Sequence, residues 1–278
     1  MTPEDFGFLR KLLKERSGLV LAAEKQYLAE SRLLPLARKH GMANLAELVG
    51  RLKRGDSGTL VSDVVDAMTT NETFFFRDTI MPALIAARAR EKRIRIWCTA
   101  ASTGQEPYSL TMLLKSMGAE LAGYKISILA TDICGEVIEK AKAGVYTQFE
   151  VQRGLPIQLL VKFFSQVGEQ WHLAPELRGM VQFRTLNLLN DFAPLGAFDL
   201  VFCRNVLIYF DQPTKIDVLT RIARQMPADG YLVLGAAETV VGLTDAFRPV
   251  SEKRGLYAPS AATKPLEPAG NTLRFARA

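Results

Sequence analysis

Four short polar segments interrupt the apolar runs of this chain, and each holds side chains able to bind or react. Ala100-Ala101-Ser102-Thr103-Gly104-Gln105-Glu106-Pro107 follows the apolar run Ile94–Thr99 and reads as a tight turn entering a helix. It has one glycine, not the G-x-G-x-x-G spacing that brings backbone up to a pyrophosphate. A loop of this kind suits a nucleoside ligand without phosphates. Asp132 follows the run Lys125–Thr131. An acid there can accept hydrogen bonds from both ribose hydroxyls, or it can cap a helix beginning near Gly135. Arg204-Asn205 breaks the apolar stretch from Phe198 to Phe210, as a polar pair on a site floor does. Val206, Leu207 and Ile208 read as core, and Tyr209 reads as either core or site. Asn71, Thr73 and Arg77 alternate with or flank Phe74-Phe75-Phe76. That pattern fits either core with a solvated charge or an interdomain segment lying over a ligand. Only His40 and His172 are present, and no Cys/His cluster has ligand spacing, so no metal is expected. Cys98, Cys134 and Cys203 lie in or beside apolar runs and are expected to be buried free thiols.

Three of these segments fall just after predicted strands, where open α/β sheets bind ligands at the reversal of strand order. Residues 1–68 read as a helical unit. Thr2-Pro3-Glu4-Asp5 is a helix start, and Phe6, Leu9 and Leu13 recur at helical spacing before Ser17-Gly18 stops the run. A second helix is expected over Ala23–His40. A third follows a capping-box pattern at Asn44 and Glu47, and a fourth carries Leu60, Val64 and Met68. Residues 69–93 would hold a linker and a first helix. From Ile94, strands alternate with helices (Glu106–Met117, Gly135–Ala143, Thr214–Gln225), which argues for a parallel sheet covered on both faces. Tyr146–Arg184 is too long for a simple connection. It reads as an inserted subdomain with a small antiparallel sheet built around Trp171–Leu173 and Val181–Phe183. Residues 69–259 would form this second domain and 260–278 a disordered tail. The 278 residues are 48% apolar and 23% charged, enough for a core. No apolar run approaches the roughly 20 residues of a spanning helix, and Met1–Arg10 has no apolar signal core. A cytoplasmic protein without membrane insertion is expected. The net charge of +6 suits nucleic acid, anionic lipid or an acidic protein surface.

Taken together, Thr70-Asn71-Glu72-Thr73-Phe74-Phe75-Phe76-Arg77, Ala101 through Ser109, Ala130-Thr131-Asp132-Ile133 and Phe202 through Phe210 resemble the successive motifs of the CheR family of chemotaxis protein-glutamate methyltransferases. The resemblance spans about Thr2–Tyr257. It implies a Rossmann-like S-adenosylmethionine methyltransferase fold behind an all-α N-terminal domain, with S-adenosylhomocysteine as product and no metal. It implies that Asn71, Thr73 and Arg77 line the cofactor from the linker, Glu106 from the first loop, and that Asp132 holds the ribose. Asn187-Leu188 and Arg204-Asn205-Val206 would border adenine and methionine. Arg77 and Tyr209 would stand next to the methyl group. The implied partners are acidic cytoplasmic helices of membrane chemoreceptors, with the enzyme a monomer. Two departures stand out. Many members have Ser-Glu where this chain has Ala237-Glu238. The segment Ser165–Trp171 is shorter than the loop some members use to dock on a receptor tail, so tail docking does not carry over.

Esterifying a carboxylate from a sulfonium is an in-line displacement. Glutamate, with a pKa of about 4.3, is already ionised at neutral pH, so no general base is needed. A site offering arginine and tyrosine without histidine fits that chemistry, which is mainly a positioning problem. Acceptor recognition needs a further surface. Lys25, Arg32 and Lys39 lie seven apart, so on a helix they share a stripe, with Arg38 beside them and Pro35 as a possible kink. They read either as a docking face for an acidic helix or as a solvated face. The basic balance slightly favours a nucleic-acid methyltransferase, but Arg204-Asn205-Val206-Leu207 lacks the Pro-Pro that amino-methylating adenine enzymes have after the polar residue. A non-catalytic S-adenosylmethionine sensor would not need both Arg77 and Tyr209, and a nicotinamide dehydrogenase would need the missing glycines.

Overall fold

The computed structural model describes residues 1–55, 58–77, 93–251 and 253–260. The expected first helix before residue 93 and the tail beyond residue 260 lie outside these. The chain begins with helices α1 (Pro3–Ser17), α2 (Gln26–Lys39, after a 3-10 turn at Ala23–Lys25), α3 (Leu45–Lys53) and α4 (Thr59–Met68). Helix α1 starts as its sequence dictates. Thr2 accepts from the Asp5 N–H at 3.1 Å, and Gly18 closes the helix in the left-handed region at φ 76°. At α3, Asn44 caps the Glu47 N–H, but the Glu47 carboxylate reaches back to Ala43 rather than to the cap residue. Leu9, Leu13, Leu33, Leu48 and Val64 pack into one core. Pro35 lies inside α2, which stays continuous.

The second region holds strands β1 (Arg93–Cys98), β2 (Lys125–Asp132), β3 (Val145–Thr147), β4 (Phe164–Val167), β5 (Gln170–Leu173), β6 (Val181–Thr185), β7 (Leu200–Cys203), β8 (Tyr231–Leu234), β9 (Phe247–Pro249) and β10 (Leu256–Pro259). Between them run α5 (Gln105–Met117), α6 (Gly135–Ala143), α7 (Gln148–Gln152), α8 (Ile157–Phe163), α9 (Pro175–Arg178) and α10 (Gln212–Arg224). Seven strands form the main sheet in the order β6-β2-β1-β7-β8-β10-β9. The first five are parallel, and β10 and β9 are antiparallel additions at one edge. Alternation along β1 sends Ile94, Ile96 and Cys98 into the core on one face and Trp97 into the core on the other. From β1 the chain moves outward through β2 to β6, then returns to β7 on the other side of β1. The strand order therefore reverses between β1 and β7, where a ligand cleft belongs.

The insertion carries a three-stranded antiparallel sheet, β3-β5-β4. Trp171–Leu173 lies in it as expected, but Val181–Phe183 does not. That segment belongs to β6, which pairs parallel with β2 in the main sheet, Ala130 opposite Phe183. Ser260 donates its N–H to the Ala246 carbonyl, so regular hydrogen bonding runs one residue into the segment expected to be tail. Among the described residues no helix is long and apolar enough to cross a membrane.

Candidate active site

One cleft opens at the carboxyl ends of β1, β2 and β7. Asn71, Thr73, Arg77, Glu106, Asp132, Asn187, Leu188, Arg204, Asn205, Val206 and Tyr209 all line it. Asp132 ends β2, Asn187 and Leu188 follow β6, and Arg204 to Tyr209 follow β7; Glu106 lies in the first turn of α5, and Asn71, Thr73 and Arg77 come from the linker after α4. The β1 loop is held against its neighbours by backbone bonds, Thr99 N–H to Phe202 and Ala101 N–H to Thr131. Its single glycine, Gly104, has φ 92°, and a Cβ there would press on Ala141 and Tyr108 at 3.0 Å. The glycine thus serves helix packing and not approach to a phosphate.

Asp132 is buried and its orientation is fixed. Oδ2 accepts from the Ser102 N–H at 2.8 Å and Oδ1 from the Cys134 N–H at 3.0 Å. Burial raises its pKa, against hydrogen bonds from the Cys134, Ser102 and Ile133 backbone that lower it. A carboxylate offers about four acceptor directions, so both oxygens keep capacity toward the cleft. Asp132 is not the cap of the following helix, as one sequence reading had it: the cap residue of α6 is Cys134, and Asp132 instead braces the turn before it and lines the cleft. Glu106 and Arg204 form an ion pair across the floor, Nη1 to Oε2 at 2.5 Å, with side chains 12% and 6% exposed. Asn71 is held through its carbonyl, which accepts from Ser102 Oγ at 2.7 Å. The Asn187 amide bonds the Arg16 carbonyl at 2.6 Å and the Leu189 N–H at 2.9 Å, so it ties this loop to the helical region while lining the cleft. Arg77 has its guanidinium carbon 5.2 Å from the centroid of the Phe74 ring, and Nη1 reaches the Glu72 carbonyl at 3.4 Å. Tyr209 ends a 3-10 turn, Leu207–Tyr209.

Sequence reasoning missed two contributors. Glu238, buried behind the Arg204–Leu207 loop, accepts four backbone N–H groups. Oε2 takes Asn205 at 2.7 Å and Gly235 at 2.8 Å, and Oε1 takes Val206 at 3.0 Å and Leu207 at 2.8 Å. This holds Asn205 at φ 58°, outside the usual range for a residue with a side chain. The second contributor is the end of α1. Ser17 and Leu19 line the cleft, Val20 donates to the Tyr209 carbonyl at 2.9 Å, and Lys14 pairs with Asp211 at 2.7 Å. Helix-stop residues of the first region are therefore a wall of the site. A buried acid after an apolar strand was the available signal for Glu238; nothing in the sequence marked Ser17 or Leu19.

The basic stripe on α2 is only partly a surface. Lys25, Arg38 and Lys39 are exposed. Arg32 instead donates to the carbonyls of Met68 and Thr69 at 2.7 and 2.9 Å and to the Thr70 hydroxyl at 3.1 Å. The linker lies against Arg32 and takes its donors, and Lys25 sits in the 3-10 turn before α2. His40 pairs with Asp63 in the helical region and His172 lies on β5, and neither lines the cleft. Burial pushes the Cys98, Cys134 and Cys203 thiols above their ordinary pKa, which makes them inert packing groups.

Comparison with known proteins fits this geometry. A model of the "CheR methyltransferase, SAM binding domain" matches residues 69–256, and one of the "CheR methyltransferase, all-alpha domain" matches residues 4–69. Fold, cleft and match together define an S-adenosylmethionine-dependent methyltransferase. The chain is 43% identical over 267 residues to chemotaxis protein methyltransferase 1 of Pseudomonas aeruginosa, covering 91% of this chain and 96% of that protein. It is 40% identical to chemotaxis protein methyltransferase Cher2 of Pseudomonas putida (91% and 96% covered) and 38% identical to the chemotaxis protein methyltransferase of Vibrio parahaemolyticus (92% and 96%). The chain belongs to the CheR methyltransferase family.

Proposed function

We propose that the protein transfers the methyl group of S-adenosylmethionine to glutamate side-chain carboxylates of chemoreceptors in the cytoplasm, releasing S-adenosylhomocysteine. The observation that carries this reading is one cleft lined by a buried, oriented acid, an acid–arginine pair, and both Arg77 and Tyr209, with no histidine lining it. These donors and acceptors suit the cofactor. Asp132 would take the ribose hydroxyls through its remaining acceptor directions. Glu106 and Arg204 offer one negative and one positive group to the amino and carboxylate ends of the methionine portion. Asn71, Thr73, Asn187, Leu188, Asn205 and Val206 border the remainder.

The cofactor supplies an electrophilic methyl on a positively charged sulfur: as an acceptor oxygen bonds to that carbon, the carbon–sulfur bond breaks and its electron pair stays on sulfur. No proton moves, because the acceptor is already ionised. Arg77 grips the acceptor carboxylate through paired donors. Tyr209 donates one hydrogen bond and presents an aromatic face to the positive sulfur. The exposed Lys25 in the 3-10 turn before α2, with Arg38 and Lys39 in the last turn of α2, would meet an acidic receptor helix. Arg32 supports that face indirectly, by fixing the linker.

The test is incubation with tritiated S-adenosylmethionine and host membranes, followed by mild alkali. Glutamyl methyl esters release volatile methanol. Label that survives alkali on protein or nucleic acid would contradict the reading.

A further inference from the structure

The insertion meets the linker at one corner, Arg153-Gly154. Arg153 Nη2 donates to Glu72 Oε1 at 2.9 Å. Its guanidinium carbon lies 5.2 Å from the Phe74 ring centroid, the same distance as that of Arg77 from the same ring. Gly154 has φ 79°, and a Cβ there would drive into the Phe75 carbonyl oxygen. The glycine is therefore required for the linker to lie where it does. Phe75 is fully buried and packs edge-on against Tyr146 at 5.1 Å and Phe164 at 5.8 Å, both from the insertion. On its other side, the Phe76 N–H donates to Ser109 Oγ at 3.0 Å, with Phe76 at φ 50°.

The insertion thus pins residues 72–76, and Arg77 comes next. Among the described residues Arg77 contacts the Glu72 carbonyl and the Phe74 ring. Both of those residues are gripped by Arg153. The Arg153 hydrogen bond, with a smaller contribution from the charge of Arg77, holds the Glu72 carboxyl below its ordinary pKa. Glu72 therefore stays ionised and paired across the neutral range.

We propose that Arg153 is a positioning residue for Arg77, acting through Glu72 and Phe74, so that the inserted subdomain builds part of the acceptor end of the site. This rests on the reading of Arg77 as the carboxylate grip. An exposed ion pair contributes little to stability. Placement matters more, because an error of about 1 Å at a reacting group can cost roughly a hundredfold in rate.

The test uses the full chain with Arg153→Gln, Glu72→Gln and the double variant. Turnover is measured with tritiated S-adenosylmethionine and host membranes, and affinity for S-adenosylhomocysteine by calorimetry. Arg153→Gln should lower kcat about tenfold while product affinity changes less than about threefold. The double variant should be no slower than Arg153→Gln alone, since the pair acts as a unit. A merely structural role would lower turnover and affinity together. Wild-type kcat in Arg153→Gln, or a fall matched by an equal loss of affinity, overturns the inference while the wild-type ester reading stands. Wild-type enzyme that yields no base-labile label overturns both. Gly154→Ala should be slower still; if it does not fold, the Arg153→Gln result decides.

Discussion

At the end of the cleft that we assign to the cofactor, buried carboxylates are fixed by backbone. Asp132 takes the Ser102 and Cys134 N–H groups, and Glu238 takes four more beneath Asn205 and its neighbours. Around Arg77, the end that we assign to the acceptor, side chains are held by other side chains near solvent. Arg77 leans on Phe74, and Arg153 reaches Glu72 with side chains 36% and 64% exposed. The first construction is rigid because removing a buried acid leaves donors unsatisfied. The second can shift by a side-chain rotation, which suits a group that must admit a glutamate presented by another protein. The difference separates two functions that a single cleft would otherwise blur, holding one small cofactor and aligning variable acceptors.

The largest effects should fall on turnover at the acceptor end. Arg77→Ala should lower kcat with receptor membranes by about a hundredfold, roughly 2.7 kcal/mol of transition-state stabilisation. Arg77→Lys keeps the charge but loses the planar fork and should still be about tenfold slow. Full activity in Arg77→Ala would remove the distinction between the two ends. At the cofactor end, Asp132→Ala should weaken S-adenosylmethionine binding by about 1.5–3 kcal/mol, measured by calorimetry at one site per chain. Because burial raises the Asp132 pKa, wild-type affinity should decline as pH falls, starting above the ordinary carboxylate range. Asp132→Asn should lack that decline. If the two proteins show the same pH dependence, another group controls binding.

Glu238→Gln sharpens the comparison further. One of its two oxygens becomes a donor facing backbone N–H groups, so thermal unfolding should show a loss of about 2 kcal/mol. Cofactor affinity should fall with it, because the loop carrying Asn205 and Val206 is no longer held. A variant as stable as wild type would mean that water replaces the carboxylate. The smallest effects belong to the surface. Each of Lys25, Arg38 and Lys39 contributes about 0–1 kcal/mol, screened by salt. Reversing Lys25 and Lys39 to glutamate should raise the KM for receptor membranes several-fold at low salt and leave cofactor affinity alone. Equal KM values at low and high salt would make this face merely solvated.

Much of this was legible in the sequence because the chemistry sits where apolar strands stop. Asp132, Arg204 and Asn205 announced themselves as polar breaks, and the helical spacing of Phe6, Leu9 and Leu13 located α1. What the sequence hid was non-local. Val181–Thr185 alternates apolar and polar residues because β6 is an edge strand with one open face, and the same alternation suits an antiparallel hairpin; only pairing with β2 decides. Glu238 looks like any acid after a strand until four amides from two segments converge on it. Arg32 sits on a basic stripe by spacing, yet the stripe does not reveal that the Met68–Thr70 backbone covers its middle. Ser17 and Leu19 read as a helix stop, and only the packing of α1 against Tyr209 and Phe210 makes them a wall of the cleft.

The central claim is that this site aligns an already ionised carboxylate and needs no general base. The dependence of kcat on pH tests it most directly, measured with saturating S-adenosylmethionine and receptor membranes between about pH 6 and 8.5. With no histidine lining the cleft and the acceptor ionised throughout, kcat should stay flat across that range. A kcat that rises tenfold per pH unit through neutrality would reveal an essential base and contradict the account.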